Sequence, residues 1–216
     1  MGGRAIVVCP LEFERRLLVR AGIGRFCELA CCGPGAERVQ QWASGRTPSG
    51  AVLLCGLAGA LNDTFAVGTA CAVAAVVGDD GNDGDDEQTR PPMTESAGAV
   101  VSCPPSTLTT PAAKRAWAER SGADLVDLES AAFARIAETW GWKWGIVRGI
   151  GDGPDATLPG EIGTWVDGRG RSRPGQVLRA LLGGRVGVGR LARLRADGIA
   201  AMAAAAVVLE RMLVRR

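Results

Sequence analysis

Short apolar runs alternate along the chain with segments whose apolar residues recur every three or four positions. Residues 5–9, 26–31, 51–55, 69–77, 97–103, 125–127 and 144–150 are compact runs rich in Val, Ile, Cys and small residues, and they predict strands. Residues 14–21, 36–43, 111–121 and 129–140 carry the helical period. The third helix has a clear start in Thr110-Pro111, because proline at the first helical position gives up an N–H that would go unpaired there. Strand and helix in alternation predict an α/β domain with a largely buried sheet. No repeat or linker interrupts it.

The pattern changes after Gly163. A turn-rich stretch, Asp167-Gly168-Arg169-Gly170, leads into Arg- and Leu-rich helices. Leu178, Leu181 and Leu182 share one face, and Leu191 and Leu194 another, with Arg179, Arg190, Arg193 and Arg195 interspersed. We therefore divide the chain into an α/β domain over 1–163 and a helical extension over 164–216, packed on the same domain. Residues 169–216 hold 11 Arg against Asp197 and Glu210, a balance of +9, while the rest of the chain stands at −7. The extension reads either as a cap with a solvated basic side or as an amphipathic surface drawn to anionic lipid headgroups. The basic tail has no interleaved aromatics and the rest is acidic, so nucleic acid is not an expected partner.

Composition narrows the chemistry. The chain has 216 residues with no His and no Tyr, which removes histidine triads, histidine-ligated zinc and a histidine general base. Acid–base work must fall to carboxylates, thiols, the two lysines Lys114 and Lys143, or water. The seven cysteines are odd in number and form no C-x-x-C pair, so they read as buried thiols in a reduced compartment. The acidic run 79–87 lacks EF-hand spacing and reads as a solvated loop, and no metal site is expected. Met1 to Arg4 lead straight into the first strand, and the longest apolar stretch, 199–209, has 11 residues, too short to span a bilayer. A cytoplasmic protein is expected, peripheral at the inner membrane face if the tail binds lipid.

Three carboxylates stand at the ends of predicted strands, where α/β proteins place their ligand crevices. Glu14 follows the first strand, Glu129 follows Leu125-Val126-Asp127-Leu128, and Asp152 follows Val147-Arg148-Gly149-Ile150-Gly151. The segment Gly56–Leu61 reads as a small-residue turn that lets a ligand approach the backbone. Arg148 reads as an internal partner for a carboxylate. Trp140, Trp142 and Trp144 read as core or subunit-interface packing, and Phe133 as core.

Taken in order, these pieces resemble the nucleoside phosphorylase and nucleosidase superfamily. The resemblance runs from Ala5 to about Asp155 and is most specific in Val126-Asp127-Leu128-Glu129-Ser130-Ala131-Ala132 and Val147-Arg148-Gly149-Ile150-Gly151-Asp152. A narrower resemblance is to the hopanoid-associated phosphorylase branch, linked to removing adenine from adenosylhopane. It rests on Phe13-Glu14, on Gly56-Leu57-Ala58-Gly59, on Leu108-Thr109-Thr110-Pro111-Ala112-Ala113-Lys114, and on the tail from Asp167-Gly168 through Pro174–Leu181.

The resemblance implies a three-layer phosphorylase/hydrolase-like fold with a central mixed sheet flanked by helices and a C-terminal Arg-rich helical extension. It implies N-glycosidic cleavage of a 5′-substituted adenosine with release of adenine, adenosylhopane being the favoured substrate. The alternatives are a soluble nucleosidase for methylthioadenosine or adenosylhomocysteine and a non-catalytic nucleoside-binding module. Asp152 would protonate the leaving purine, Glu14 would activate water near the anomeric carbon, and Glu129 would hold the ribose hydroxyls. Leu128, Ala58, Gly59, Gly33 and Gly35 would complete the substrate site. No cofactor is implied. Phosphate is a candidate co-substrate, with Arg38 and Arg90 as its candidate partners, and a homodimer is expected. Three positions depart from the family pattern: Gly151 replaces a common serine before the aspartate, Leu57 replaces a serine or threonine in the glycine-rich segment, and Asp127 stands where glutamate is frequent.

Overall fold

A computed structural model describes residues 3–78, 88–94 and 98–214, so the acidic run 79–87 lies outside the described residues. The strands are β1 (Ala5–Cys9), β2 (Cys27–Cys31), β3 (Val52–Ala60), β4 (Ala70–Val77), β5 (Gln88–Thr89), β6 (Ala99–Ser102), β7 (Leu125–Val126) and β8 (Trp144–Asp152). The helices are α1 (Glu12–Arg20), α2 (Ala36–Ala43), α3 (Pro111–Ser121), α4 (Ser130–Thr139), α5 (Pro174–Leu182) and α6 (Val188–Val214).

All the strands join one mixed sheet. Parallel β2, β1, β3 and β8 lie side by side, and β8 then pairs antiparallel with β4. β4 pairs parallel with β6, β6 with β7, and β7 returns antiparallel to β3, so five strands close into a ring.

Alternation along the central strands divides the core into two layers. Val8, Val52, Leu54, Ile146 and Ile150 face Val39 of α2 and Phe133 and Ala137 of α4. Val7, Cys9, Leu53, Cys55 and Val147 face Leu18 of α1 and Met202, Ala205 and Leu209 of α6. This is the period-two signature of strands buried on both faces.

Helix α6 is therefore a structural layer of the α/β domain. Its buried residues Gly198, Ala201, Met202, Ala205, Ala206, Leu209 and Leu213 recur every three or four positions, and burying Met202 or Leu209 contributes roughly 1.5–3 kcal/mol each. Ala201 lies so close to β8 that a Cβ on Gly149 would meet the Ala201 carbonyl oxygen at 2.8 Å. Helix α5 and the first turn of α6 form a smaller cluster with Trp165, Val177, Ala180 and Val186.

Gly56–Leu61 is not a turn, as the sequence reading had it: β3 runs on through Ala60. Its glycines are required by crowding. A Cβ on Gly56 would stand 2.8 Å from Arg148 Nη1 and 3.0 Å from Glu14 Oε1, and one on Gly59 would stand 3.1 Å from Asp152 Oδ2. No helix among the described residues is long and apolar enough to cross a membrane.

Candidate functional site

Strands β1, β3 and β8 are parallel, so their carboxyl ends share one edge of the sheet, and the three carboxylates gather there. Glu14 lies in the first turn of α1 and is 2% exposed. Its Oε2 accepts from the Leu11 N–H and its Oε1 from the Leu57 N–H, each at 2.8 Å, which ties α1 to β3. Burial pushes its carboxyl up to about 7, against the pull of those two N–H groups.

Glu129 immediately precedes α4 but does not cap it. Asp127 does that instead: its Oδ1 accepts from the Glu129 and Ser130 N–H groups at 2.8 Å, and its Oδ2 from the Ser130 hydroxyl at 2.5 Å. Cys103 Sγ accepts from the Ala131 N–H and donates to Asp127. Freed of capping, the Glu129 side chain accepts from the Gly35 N–H at 2.8 Å, and burial pushes its carboxyl up, with Asp127 adding to the rise.

Arg148 is fully buried beneath the carboxylates. Its Nε lies 2.7 Å from Asp127 Oδ2, and its Nη2 lies 3.1 Å from the Ser130 hydroxyl and 3.8 Å from Glu129 Oε2. Its Nη1 has no hydrogen-bond partner among the described residues and faces Gly56 beside Glu14 Oε1.

Asp152 closes the far side. Glu14 meets β3 at Gly56–Leu57 and Asp152 meets it at Gly59, a separation of roughly 7–10 Å at about 3.3 Å per residue. That span suits the sugar and base of one nucleoside. Asp152 is ion-paired with the Lys114 ammonium, which also donates to the Gly153 carbonyl. Burial raises the Asp152 carboxyl, and Lys114 opposes the rise.

The other expected site positions divide. Gly35 and Gly59 touch Glu129 and Asp152, and Leu128 is half-buried beside them in sequence. Ala58 packs into the core. Gly33 lies beneath the Asp167–Gly170 loop, where its own Cβ would stand 2.4 Å from the Gly168 carbonyl oxygen. Arg38 donates to Gln41 on its own helix, and Arg90 is exposed and donates to Gln88. Neither arginine contacts the three carboxylates. The departures at 57 and 151 are one feature, since Leu57 carbons lie 3.7 Å from where a Gly151 Cβ would stand.

The sequence reading missed the roles of Lys114 and of Asp127 with Cys103. Lys114 and Trp117 sit three apart on the buried side of α3, a spacing that marks a shared helix face. Trp144 and Phe133 are buried core residues, and Trp42, Trp140 and Trp142 cluster with them around the opposite end of β8. The seven cysteines all lie among the described residues and form no disulfide there.

Comparison with known proteins agrees with this fold. A family model described as the phosphorylase superfamily matches residues 90–183, which include Glu129, Arg148 and Asp152. That matched stretch, less than half of the chain, is similar to the phosphorylase superfamily. Its fold matches the native futalosine hydrolase of Helicobacter pylori strain 26695 at a TM-score of 0.67, with 12% identity over 100% of this chain and 98% of that one. A mutant Helicobacter pylori nucleosidase with 5′-methylthioadenosine in its active site matches at 0.66, with 12% identity over 100% of both chains. The apo 5′-methylthioadenosine nucleosidase of Arabidopsis thaliana matches at 0.64, with 12% identity over 99% of this chain and 95% of that one. No curated protein sequence matches significantly.

Proposed function

We propose that this protein is a nucleosidase that cleaves the N-glycosidic bond of a 5′-substituted adenosine and releases adenine. The observation that carries this reading is the set of buried carboxylates on one sheet edge, Glu14 and Asp152 about a nucleoside's length apart with Glu129 alongside. Glycosidic cleavage passes through an oxocarbenium-like state, which needs negative charge beside the sugar and a proton for the departing base. Glu129 holds the ribose hydroxyls, Asp152 faces the base, and Glu14 activates the nucleophile. The enzymes named for the matched folds act on nucleosides of this kind, which supports the reading.

Water is the nucleophile in this reading. A water in this site gives its proton to Glu14 as its oxygen meets C1′. Phosphate is disfavoured there by the buried carboxylates. The glycine at 33 is occupied by the Gly168 loop, and Arg38 and Arg90 are engaged elsewhere. Because Glu14 must be ionised and its carboxyl titrates at about 7, kcat/KM is expected to rise as pH increases through about 7. A pH–rate profile checks this. Glu14→Gln removes both that limb and most of the activity, and a wild-type rate that is flat from pH 5 to 8 would count against Glu14 as the base.

The finer reading is a lipid-linked substrate, adenosylhopane, at a membrane surface. Leu178, Leu182 and Val188 are 55%, 82% and 74% exposed on α5 and the start of α6, among exposed Arg171, Arg173, Arg179, Arg185, Arg190 and Arg193. Apolar side chains ringed by arginines suit an anionic bilayer. The test is adenine release from adenosylhopane in anionic vesicles against 5′-methylthioadenosine in buffer. Preference for the lipid supports this reading, and preference for the soluble nucleoside assigns the protein to the methylthioadenosine/adenosylhomocysteine nucleosidases.

A further inference from the structure

Lys114 is 1% exposed, in the first turn of α3, where the partial positive charge of a helix N-terminus disfavours a cation. Lysine is almost never buried without a partner. Here the partner is Asp152, whose side chain has no other hydrogen-bond partner among the described residues. Residue 151 is a glycine and lends no support of its own. The ammonium donates to one oxygen, Oδ2, which leaves Oδ1 for a ligand, and it anchors to the Gly153 carbonyl on the same loop.

A carboxylate locked against an ammonium is a poor acid in its resting state, yet the reaction proposed above requires that a proton reach the departing base. The two facts are reconciled if both groups hold the proton between them. Burial narrows the gap between an ion pair and the corresponding neutral pair, which is the direction a proton transfer between the partners requires.

We propose that Lys114 is the proton reservoir of the leaving-group acid: its ammonium passes a proton to Asp152, which delivers it to N7 of the departing purine. The inference rests on the nucleosidase reading. The C1′–N9 bond breaks and its electron pair goes to the purine, while N7 gains the proton from Asp152. That proton comes from Lys114 by way of Asp152, which leaves the carboxylate beside the neutral amine. Water forms the new C1′–O bond and loses its proton to Glu14. After release of products Glu14 gives up one proton and the couple takes one up, so only water is consumed. Lys114 acts through Asp152 and is a positioning and proton-supplying residue.

The test compares two leaving groups. Adenine from 5′-methylthioadenosine needs protonation as it leaves, whereas the phenolate of 4-nitrophenyl β-D-ribofuranoside leaves as a stable anion. In Lys114→Met, kcat on the adenosine substrate is expected to fall about 10²-fold or more, and kcat on the nitrophenyl riboside by less than about threefold. Lys114→Gln, which keeps an N–H donor for the Gly153 carbonyl, is expected to show the same split and carries the test if the methionine variant does not fold. Equal losses on both substrates, in a variant that melts like the wild type, would reduce Lys114 to a structural role and overturn the proposal. So would unchanged rates on both. Where the wild type turns over only adenosylhopane, adenine release from that substrate in vesicles takes the place of the methylthioadenosine arm, and wild-type protein inactive on all three substrates would instead overturn the nucleosidase reading itself.

Discussion

Asp152→Asn is expected to lower kcat/KM on a 5′-substituted adenosine by roughly 10²–10⁴, the range for a positioned acid, with the loss in kcat. Asparagine keeps the shape of the side chain and accepts from Lys114 through its amide oxygen, but it has no proton to give. The carboxyl it replaces is raised by burial while the Lys114 ammonium pulls the other way, so the acid is set by two opposed effects. Glu129→Gln is expected to fall in the same range, because the ribose hydroxyls lose a charged acceptor in a site from which water is largely excluded. Steady-state kinetics on variants with unchanged melting behaviour checks both. A loss under about threefold would remove the residue from the catalytic account.

Arg148→Met is expected to cost about 3–5 kcal/mol of stability, the usual result of removing one partner of a buried pair. The side chain is wholly buried, and its Nε lies 2.7 Å from Asp127 Oδ2, with Glu129 close by. Coulombic interaction with Asp127, Glu129 and Glu14 holds the guanidinium charged against its desolvation. Methionine would leave those carboxylates without a countercharge. Urea unfolding reads the loss directly. Adding Asp127→Asn to Arg148→Met is expected to recover part of it, since contacting residues couple by roughly 0.5–3 kcal/mol. A single-variant cost below about 1 kcal/mol would mean that the arginine does not hold the floor of the site.

Much of the architecture was legible because the strands read as compact apolar runs, unbroken in β1 and β4 and interrupted in β8 only by Arg148 before its end at Asp152. The three clustered carboxylates stood out because charged residues are rare at the ends of such runs. The extent of β3 was not legible. Gly56, Leu57, Ala58 and Gly59 look like a turn locally, and only packing against Arg148, Glu14 and Asp152 shows why small residues are needed in a strand there. The same limit hid Lys114, which lies 38 residues before the aspartate it holds. The role of α6 was obscured by its arginines: Arg190, Arg193 and Arg195 lie in its first turns, while the buried alanine-rich face follows. Asp127 was visible as part of a motif, but its capping of α4, which frees Glu129, depends on the geometry of the β7–α4 turn.

The most direct measurement of the central claim is to incubate the purified protein with 5′-methylthioadenosine and with adenosylhopane in ¹⁸O-labelled water, with and without phosphate, and to identify both products by mass. The expected result is free adenine together with a sugar carrying the heavy oxygen at C1, at a rate independent of phosphate. A sugar 1-phosphate formed only when phosphate is present would contradict hydrolysis and the role given to Glu14. No adenine from either substrate would contradict the nucleosidase account as a whole.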